Sequence, residues 1–326
     1  MKRNLFSILL FAVVISGCGG GGGGGSAPVS ASTNFTAVAM AGELLTYSLN
    51  TTSLTYSYTI TESQFGLTGK SGSGTLVRNS DGSYSPAGIG NVKLVILPNG
   101  LLLGGIRENL NGTPTTIPII GMSNPVADIS AAAGTYNAVQ RSCLAGVCSS
   151  AFGTFQISAA GTWISCPSGN LTTGCLGSMN SGTLNSLGGG RWQVMSGGAD
   201  IGTAIGLNSG GQNVVILDLK DTRAGGFGVG LLVGSSQQSV SATQTNGTWV
   251  AAATTGDWAT FSASGNQITF LTIDGLPSNA TTMLTIDSPW TGFATTASGG
   301  HGLLAGTGVY AYENTAGYAE IGVKIN

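Results

Sequence analysis

Four of the five cysteines lie close together in the chain, where they could carry either disulfide or zinc chemistry: Cys143, Cys148, Cys166 and Cys175. An even number of clustered cysteines is typical of disulfides in an exported protein. We expect Cys143 to pair with Cys148 and Cys166 with Cys175, and the main alternative joins Cys143 to Cys166. The gaps of four and eight residues fit no common zinc spacing and no histidine lies nearby, so we predict no metal site.

The single histidine, His301, is the one imidazole available for hydrolytic chemistry. A Ser-His-Asp arrangement would have to use it, but no Gly-x-Ser-x-Gly motif precedes a helical pattern. The surrounding sequence is Gly299-Gly300-His301-Gly302, which is typical of a turn. We therefore predict that His301 is an exposed loop residue.

Acidic side chains could act in pairs, as in glycoside hydrolysis, if the fold brings two of them together. Asp218 and Asp221 could instead bind calcium, but Lys220 and Arg223 lie beside them and no calcium-loop motif is present. We interpret these two aspartates as hairpin-turn charges. The remaining candidates, from which spacing selects no pair, are Glu43, Glu62, Glu108, Asp200, Asp257 and Glu320.

Two other motifs favour structural roles. The segment 66–71 reads Gly-Leu-Thr-Gly-Lys-Ser and resembles part of a phosphate loop, but Gln64 stands where that motif requires its first glycine. We therefore predict no cofactor. Trp249, Trp258 and Trp290 could line a carbohydrate platform or a small-molecule cavity, but aromatic residues in strands are more often part of the core.

The start of the sequence has the features of an export signal. Lys2 and Arg3 precede an apolar run from Leu5 to Ile15, which is too short to span a membrane as a helix. The next residues complete the tetrapeptide Ile15-Ser16-Gly17-Cys18, which resembles the lipobox of bacterial lipoproteins. This resemblance implies that residues 1–17 are a signal peptide and that Cys18 carries the lipid.

A glycine-rich segment follows Cys18. Residues 19–25 are all glycine, and such a run behaves as a flexible coil, so we interpret residues 18–29 as a lipidated tether. The segment resembles the polyglycine of surface lipoproteins such as transferrin-binding protein B and factor H binding protein. The resemblance implies an outer-membrane location, with surface exposure favoured over the periplasmic face. It implies no partner, because the rest of the chain does not share their motifs.

The composition excludes several classes of protein. The chain of 326 residues contains 55 glycines but only 11 basic and 13 acidic residues. So few Lys and Arg residues argue against nucleic-acid binding. The 41% of hydrophobic residues and a mean hydropathy of +0.28 indicate enough apolar surface for a folded core.

Short runs rich in β-branched and aromatic residues, bounded by turn dipeptides such as Asn99-Gly100 and Asp274-Gly275, predict an all-β fold of antiparallel sheets, barrel-like or sandwich. The clearest runs are 45–49, 55–61, 92–97, 134–139, 154–158, 214–219, 268–273 and 318–325. A Gly-Thr-aromatic pattern recurs at 134–136, 153–155, 161–163 and 247–249. It indicates either repeated β units or simply strand composition.

Prolines suggest where the domains divide. Pro114, Pro118 and Pro125 would interrupt a strand ladder, so we predict a linker at 113–133. This gives an N-terminal β domain at 30–112 and a C-terminal barrel or sandwich region at 134–326. The latter could contain two units, 134–233 and 247–326.

These observations favour a lipid-anchored, non-enzymatic binding protein of the cell envelope. Its predicted partners are the membrane, through the lipid, and an unidentified macromolecular or small ligand. The alternative is an adhesive component that self-associates through sheet edges. An envelope hydrolase that uses His301 is the third hypothesis.

Overall fold

A computed structural model describes residues 32–90, 92–110, 113–209, 211–314 and 317–325. The predicted signal peptide at 1–17, Cys18 and the tether lie outside the described residues. The predicted all-β class is confirmed, because every pairing between the strands is antiparallel. The strands of these described residues form three successive rings of eight.

The first ring is a meander of neighbouring strands that returns to its own start. Strand order places β8 beside β1, and a bridge between Tyr84 and Leu94 links the β5 end to the β6 end. The strands are β1 (Thr33–Ala39), β2 (Glu43–Asn50), β3 (Thr55–Ser63), β4 (Ser71–Arg78), β5 (Tyr84–Pro86), β6 (Val95–Ile96), β7 (Leu101–Leu110) and β8 (Thr113–Met122).

The prediction of a linker at 113–133 is wrong in its first half, because β8 lies there and pairs with β7 along its length. The carbonyl of Pro118 accepts from the backbone N–H of Met40 at 2.9 Å, just beyond the last β1 pair at Ala39. The N–H and C=O of a strand residue point to the same side, so the N–H that proline lacks would face β1, where the ladder stops. Pro118 therefore interrupts no bond to β7, and the first ring extends to Met122.

The second ring is a closed barrel that begins after a 3₁₀ turn at Ile129–Ala132. Its strands are β9 (Gly134–Leu144), β10 (Val147–Ile157), β11 (Thr162–Cys166), β14 (Asn180–Gly188), β15 (Arg191–Ser196), β16 (Ala199–Ser209), β17 (Gln212–Asp221) and β18 (Gly228–Ser236). A small hairpin of β12 (Gly169–Asn170) and β13 (Gly174–Cys175) is inserted between β11 and β14.

The third ring follows a one-turn helix, α1 (Ala242–Thr245). Its strands are β19 (Gly247–Ala253), β20 (Trp258–Ser264), β21 (Gln267–Ile273), β23 (Thr281–Ile286), β24 (Ala294–Thr296), β25 (His301–Leu304), β26 (Val309–Glu313) and β27 (Ala319–Lys324), and the short β22 (Leu276–Pro277) pairs outside it with β21. Strand β21 joins both β20 and β23, which closes the ring. The segment 134–326, which the sequence could assign to one barrel or two units, thus forms two rings.

A buried pair of aromatic residues occupies the equivalent position at the start of each ring of strands. The third residue of the first strand lies opposite an aromatic residue of the second strand in all three, and all these side chains are buried. The pairs are Phe35 with Tyr47, Tyr136 with Phe155, and Trp249 with Phe261. This common register favours repeated β units over mere strand composition. The sequence pattern did not include the first ring, because Thr33-Asn34-Phe35 has neither the glycine nor the threonine at the required positions.

The short helical turns are fixed to the second and third rings by these aromatic residues. The Tyr136 hydroxyl donates to the carbonyl of Ala132, and the Trp249 Nε1 donates to the carbonyl of Thr245 at 2.9 Å. In both cases the acceptor lies four residues before the aromatic residue. Each turn is therefore positioned by a buried hydrogen bond at the start of its ring.

A shared apolar core lies between the three rings, where their outward-facing side chains meet. It accounts for the positive hydropathy and the low charge, because strands buried on both faces need few polar residues. Its members include Val38, Leu44, Leu103 and Ile120 from the first ring, Val139, Ile205, Ile216 and Val233 from the second, and Val250, Trp258, Leu303 and Ile321 from the third.

Both predicted disulfides, Cys143–Cys148 and Cys166–Cys175, are confirmed. The first bridges the β9–β10 hairpin, where the two cysteines face each other in register. The second joins the end of β11 to the inserted hairpin. The crossed alternative is excluded because each bond closes its own short loop.

Candidate functional site

The third ring encloses a cavity of about 260 Å³ between its inner strand faces, which we call the third cavity after this ring. A single buried water molecule needs a cavity of roughly 10–15 Å³, so this much larger space suits a small organic molecule. Exposed Ser298, in the β24–β25 loop, places part of the lining at the surface. The described lining residues are Ile268, Phe270, Thr282, Leu284, Ala294, Thr296, Ser298, Gly302, Leu304, Tyr310, Tyr312, Asn314, Tyr318 and Glu320.

Glu320 is the one acidic residue in this described lining, which contains no Lys, Arg or His. It lies on the inner face of β27 and is 9% exposed. The Tyr310 hydroxyl donates to its Oε2 at 2.8 Å, and the Tyr318 hydroxyl donates to its Oε1. Burial raises the pKa of Glu320; the two hydroxyl hydrogen bonds oppose that rise, and the charge of Asp257 adds to it. The carboxyl group is thus held in a fixed position by two neutral donors.

Aromatic rings surround the carboxyl group. Tyr312 lies opposite Glu320 in the β26–β27 register, and its ring centroid is 6.5 Å from that of Tyr318. The aromatic centroid of Tyr310 is 6.4 Å from that of Trp249, whose Nε1 donates to the carbonyl of Thr245 in α1. Together these rings give the cavity an electron-rich wall with one carboxyl group in it.

The sequence indicated Glu320 as a candidate but did not indicate the tyrosines. The alternation in Val309-Tyr310-Ala311-Tyr312 places both tyrosines on one face of β26, and this was the signal available. The period alone did not say which face is inner. That choice follows from Val309 and Ala311, which belong to the shared core outside the ring.

A second, smaller cavity of about 80 Å³ lies inside the second ring. Its walls include Phe155, Trp163, Leu184 and Phe227, so it is predominantly apolar. The inserted hairpin packs beside it, because the Thr154 hydroxyl donates to the Gly169 carbonyl at 3.3 Å. Its described lining contains no charged side chain, and its polar side chains are those of Gln140, Thr154 and Ser165.

His301 is not an exposed loop residue, contrary to the sequence prediction. It begins β25, and its side chain is 16% exposed. Its Nδ1 lies 2.8 Å from Glu313 Oε1, and its ring centroid lies 3.4 Å from that of Phe152 in the second ring. The second ring of strands thus covers His301, a position where the local sequence predicts a turn. His301 lies outside the lining of the third cavity and contributes to the junction between rings.

The tryptophans occupy core positions rather than a surface platform. Trp249 is completely buried in the third ring, and Trp258 is 4% exposed in the shared core. Trp290 is half-buried between the second and third rings, where its Nε1 donates to Asn137 Oδ1 at 2.9 Å. The interpretation as core is therefore confirmed for Trp249 and Trp258, whereas Trp290 is partly buried and packs against the shared core.

The two aspartates interpreted as turn charges have different environments. Asp221 fits that interpretation, because Arg223 Nε and Nη2 donate to its two oxygens at 2.8 and 2.9 Å. These hydrogen bonds lower the pKa of Asp221 to about 2. For Asp218 the interpretation is wrong. Its side chain is buried between the first two rings, where burial and then the Glu62 and Glu43 charges raise its pKa.

The remaining acidic candidates do not meet at one site. Asp257 is exposed in the β19–β20 turn, where it accepts from the Thr255 hydroxyl at 2.7 Å. Lys220 Nζ bridges Glu62 and Asp200 at 2.9 and 3.0 Å, at the junction of the first two rings. Glu108 accepts from the Tyr58 hydroxyl at 2.8 Å, and its charge acts on buried Glu43. Glycoside hydrolysis needs two carboxyl groups at one substrate, whereas the described lining of the third cavity contains only Glu320. The arrangement suits binding better than hydrolysis.

The glycine-lysine segment 66–71 connects two antiparallel strands instead of preceding a helix. The backbone N–H of Gly69 donates to Ile60 and that of Lys70 to Leu67, which makes a tight hairpin turn. A phosphate loop instead presents its N–H groups to a ligand at a helix start. The rejection of a nucleotide site is therefore consistent with the backbone geometry.

Within the described parts of the chain, no helix is long and apolar enough to span a membrane. The same residues include no group of three or more His, Cys, Asp and Glu side chains arranged to hold a metal ion. In comparisons with known proteins, the sequence matches no family model and no curated protein.

Proposed function

We propose that the chain is a non-enzymatic binding protein of the cell envelope, anchored by lipid at Cys18, with the cavity of the third ring as its ligand site. The observation that carries the proposal is this cavity of about 260 Å³, in which apolar walls surround a few fixed polar groups. Ligand sites typically have this composition. The two disulfides support an oxidising compartment.

The adhesive alternative receives less support. It requires free strand edges, which pair readily with strands of another chain. Ring closure uses most of these edges: β1 pairs with β8, β9 with both β10 and β18, and β21 with both β20 and β23. Because most of its strand edges are already paired within the rings, the protein should remain monomeric once the lipid is removed.

Binding in the third cavity is tested with the Gly302→Leu variant. A Cβ at Gly302 would meet its nearest atom, the Ala311 carbonyl oxygen, at 3.5 Å, so a side chain fits and extends into the cavity. We expect saturation-transfer NMR to show contact of phenol and 3,3-dimethyl-1-butanol with the full chain, and loss of that contact in the variant. Equal signals in both proteins, or none in either, would contradict the proposed site.

The anchor is tested separately in cells. We expect globomycin to cause accumulation of a precursor, and Cys18→Ser to release the protein from the membrane fraction, because the acyl chains provide the attachment. Added protease should digest the protein on intact cells if it is displayed at the surface. A Cys18→Ser protein that stays membrane-bound would rule out the lipid anchor.

A further inference from the structure

The groups around the third cavity define the charge of the ligand that fits it. An anionic ligand would find no cationic side chain in the described lining. It would also lie beside Glu320, with Asp257 close enough to influence that carboxyl group. A buried anion without a cationic partner is strongly disfavoured, so anionic ligands fit poorly.

A cation, in contrast, would find two kinds of favourable partner. The Glu320 carboxylate supplies a full negative charge, and each of its oxygens can accept further hydrogen bonds beyond the one from tyrosine. The faces of tyrosine rings attract cations, and the attraction is stronger where water is excluded. Tyr310, Tyr312 and Tyr318 all line the space beside the carboxyl group.

We propose that the third cavity accepts a small organic cation, an amine or quaternary ammonium group, between the Glu320 carboxylate and the surrounding tyrosine rings. This inference rests on the proposed binding function. The cation supplies the positive charge that is absent from the described lining around the Glu320 carboxylate. The apolar walls at Ile268, Leu284 and Leu304 contact the carbon atoms of the cation.

Binding of a cation should also be linked to protons. The groups that act on Glu320 are the hydroxyls of Tyr310 and Tyr318 and the Asp257 carboxylate, with Tyr312 opposite on β26. Burial favours the neutral carboxyl, whereas a bound cation favours the carboxylate. Where the Glu320 carboxyl is protonated before binding, the cation displaces that proton, so affinity for the cation increases with pH.

The test uses two probes of nearly the same shape, choline and its uncharged analogue 3,3-dimethyl-1-butanol. We expect choline to bind the full chain, and Glu320→Gln to weaken that binding by about tenfold or more, since a charge-assisted contact is lost. Binding of the uncharged analogue should change by less than about twofold. The matched control is Glu108→Gln, which removes a carboxyl bonded to Tyr58 in the first ring and should leave both affinities unchanged.

Each outcome separates the cation inference from the binding function. If the uncharged analogue binds as tightly as choline, the cation inference is wrong and the cavity is still a binding site. If neither probe binds, both proposals fail. If Glu320→Gln does not fold, the pH series on the natural chain decides, because only choline should bind more tightly as pH rises. A flat choline profile overturns the inference.

Discussion

Replacing Trp249 by alanine should lower the free energy of unfolding by about 3–5 kcal/mol, the usual range for a buried tryptophan. The side chain is completely buried, its ring centroid lies 6.2 Å from that of Phe261, and its Nε1 donates to Thr245. The substitution removes the largest side chain in the core of the third ring and leaves a cavity beside Tyr310. Urea denaturation followed by far-UV circular dichroism measures the change.

Two further variants identify the source of the effect. Trp249→Phe keeps an aromatic ring and loses the hydrogen bond, so we expect a smaller loss, about 1–2 kcal/mol. Trp290→Ala removes a half-buried tryptophan at a ring junction and should also cost less than Trp249→Ala. A loss below about 1 kcal/mol for Trp249→Ala would show that this residue does not hold the third ring together.

The shared core adds an expectation about cooperativity. Trp192 lies in the second ring and Trp249 in the third, so a variant that keeps one of them as its only tryptophan reports on that ring by fluorescence. Side chains from all three rings pack in one cluster, so the loss of one ring exposes apolar surface on the other two. We expect both probes to follow a single transition, and two separate midpoints would contradict this packing.

The second large effect concerns the pH dependence of stability, through Glu43. This residue begins β2 and is completely buried, and its two carboxyl oxygens have no hydrogen-bond partner among the described residues. Burial, with a smaller contribution from the Glu108 charge, raises the pKa of Glu43 from 4.5 to about 7. The folded chain therefore retains a proton that the unfolded chain loses at lower pH.

The sign of the effect follows from this difference. The contribution of Glu43 to stability is fully present below about pH 4.5 and is lost as pH rises through about 7. The size of the change is about 3 kcal/mol. We expect Glu43→Gln to match the natural chain near pH 4 and to be more stable by about this amount at pH 8, as measured by urea denaturation.

Asp221 provides a control of opposite sign. Hydrogen bonds from Arg223 lower its pKa to about 2, so its contribution is present at neutral pH and lost as pH falls. Asp221→Asn should therefore be less stable than the natural chain at pH 7, and this difference should shrink in acid. A Glu43→Gln protein with no gain at pH 8 would mean that water reaches the Glu43 carboxyl in solution.

Features that depend on a few neighbouring residues could be predicted from the sequence. The strand runs at 45–49, 134–139 and 268–273 lie within observed strands, since alternation and β-branched residues act locally. The disulfide pairing was predictable for the same reason, because each bond closes a short loop. The run 92–97 was less accurate, and only Val95 and Ile96 form a strand there.

Features that depend on contacts between residues far apart in the chain could not be predicted from the sequence. Pro118 suggested a break in the ladder, but its carbonyl accepts from Met40 across the first ring's closing seam. His301 suggested an exposed turn, but Phe152 of the second ring stacks on it. Asp218 suggested a hairpin charge, but the first ring covers it.

The sequence by itself determined the all-β class, the disulfides and the expectation of a lipid anchor, because these depend on local chemistry. Only the tertiary structure decided that the strands close into three rings with a common core, and that Tyr310, Tyr318 and Glu320 meet inside one of them. The physical reason is that a strand has two faces, and both can be apolar. Which face points into a ring is set by what packs against the other, and that contact comes from residues far away in the chain.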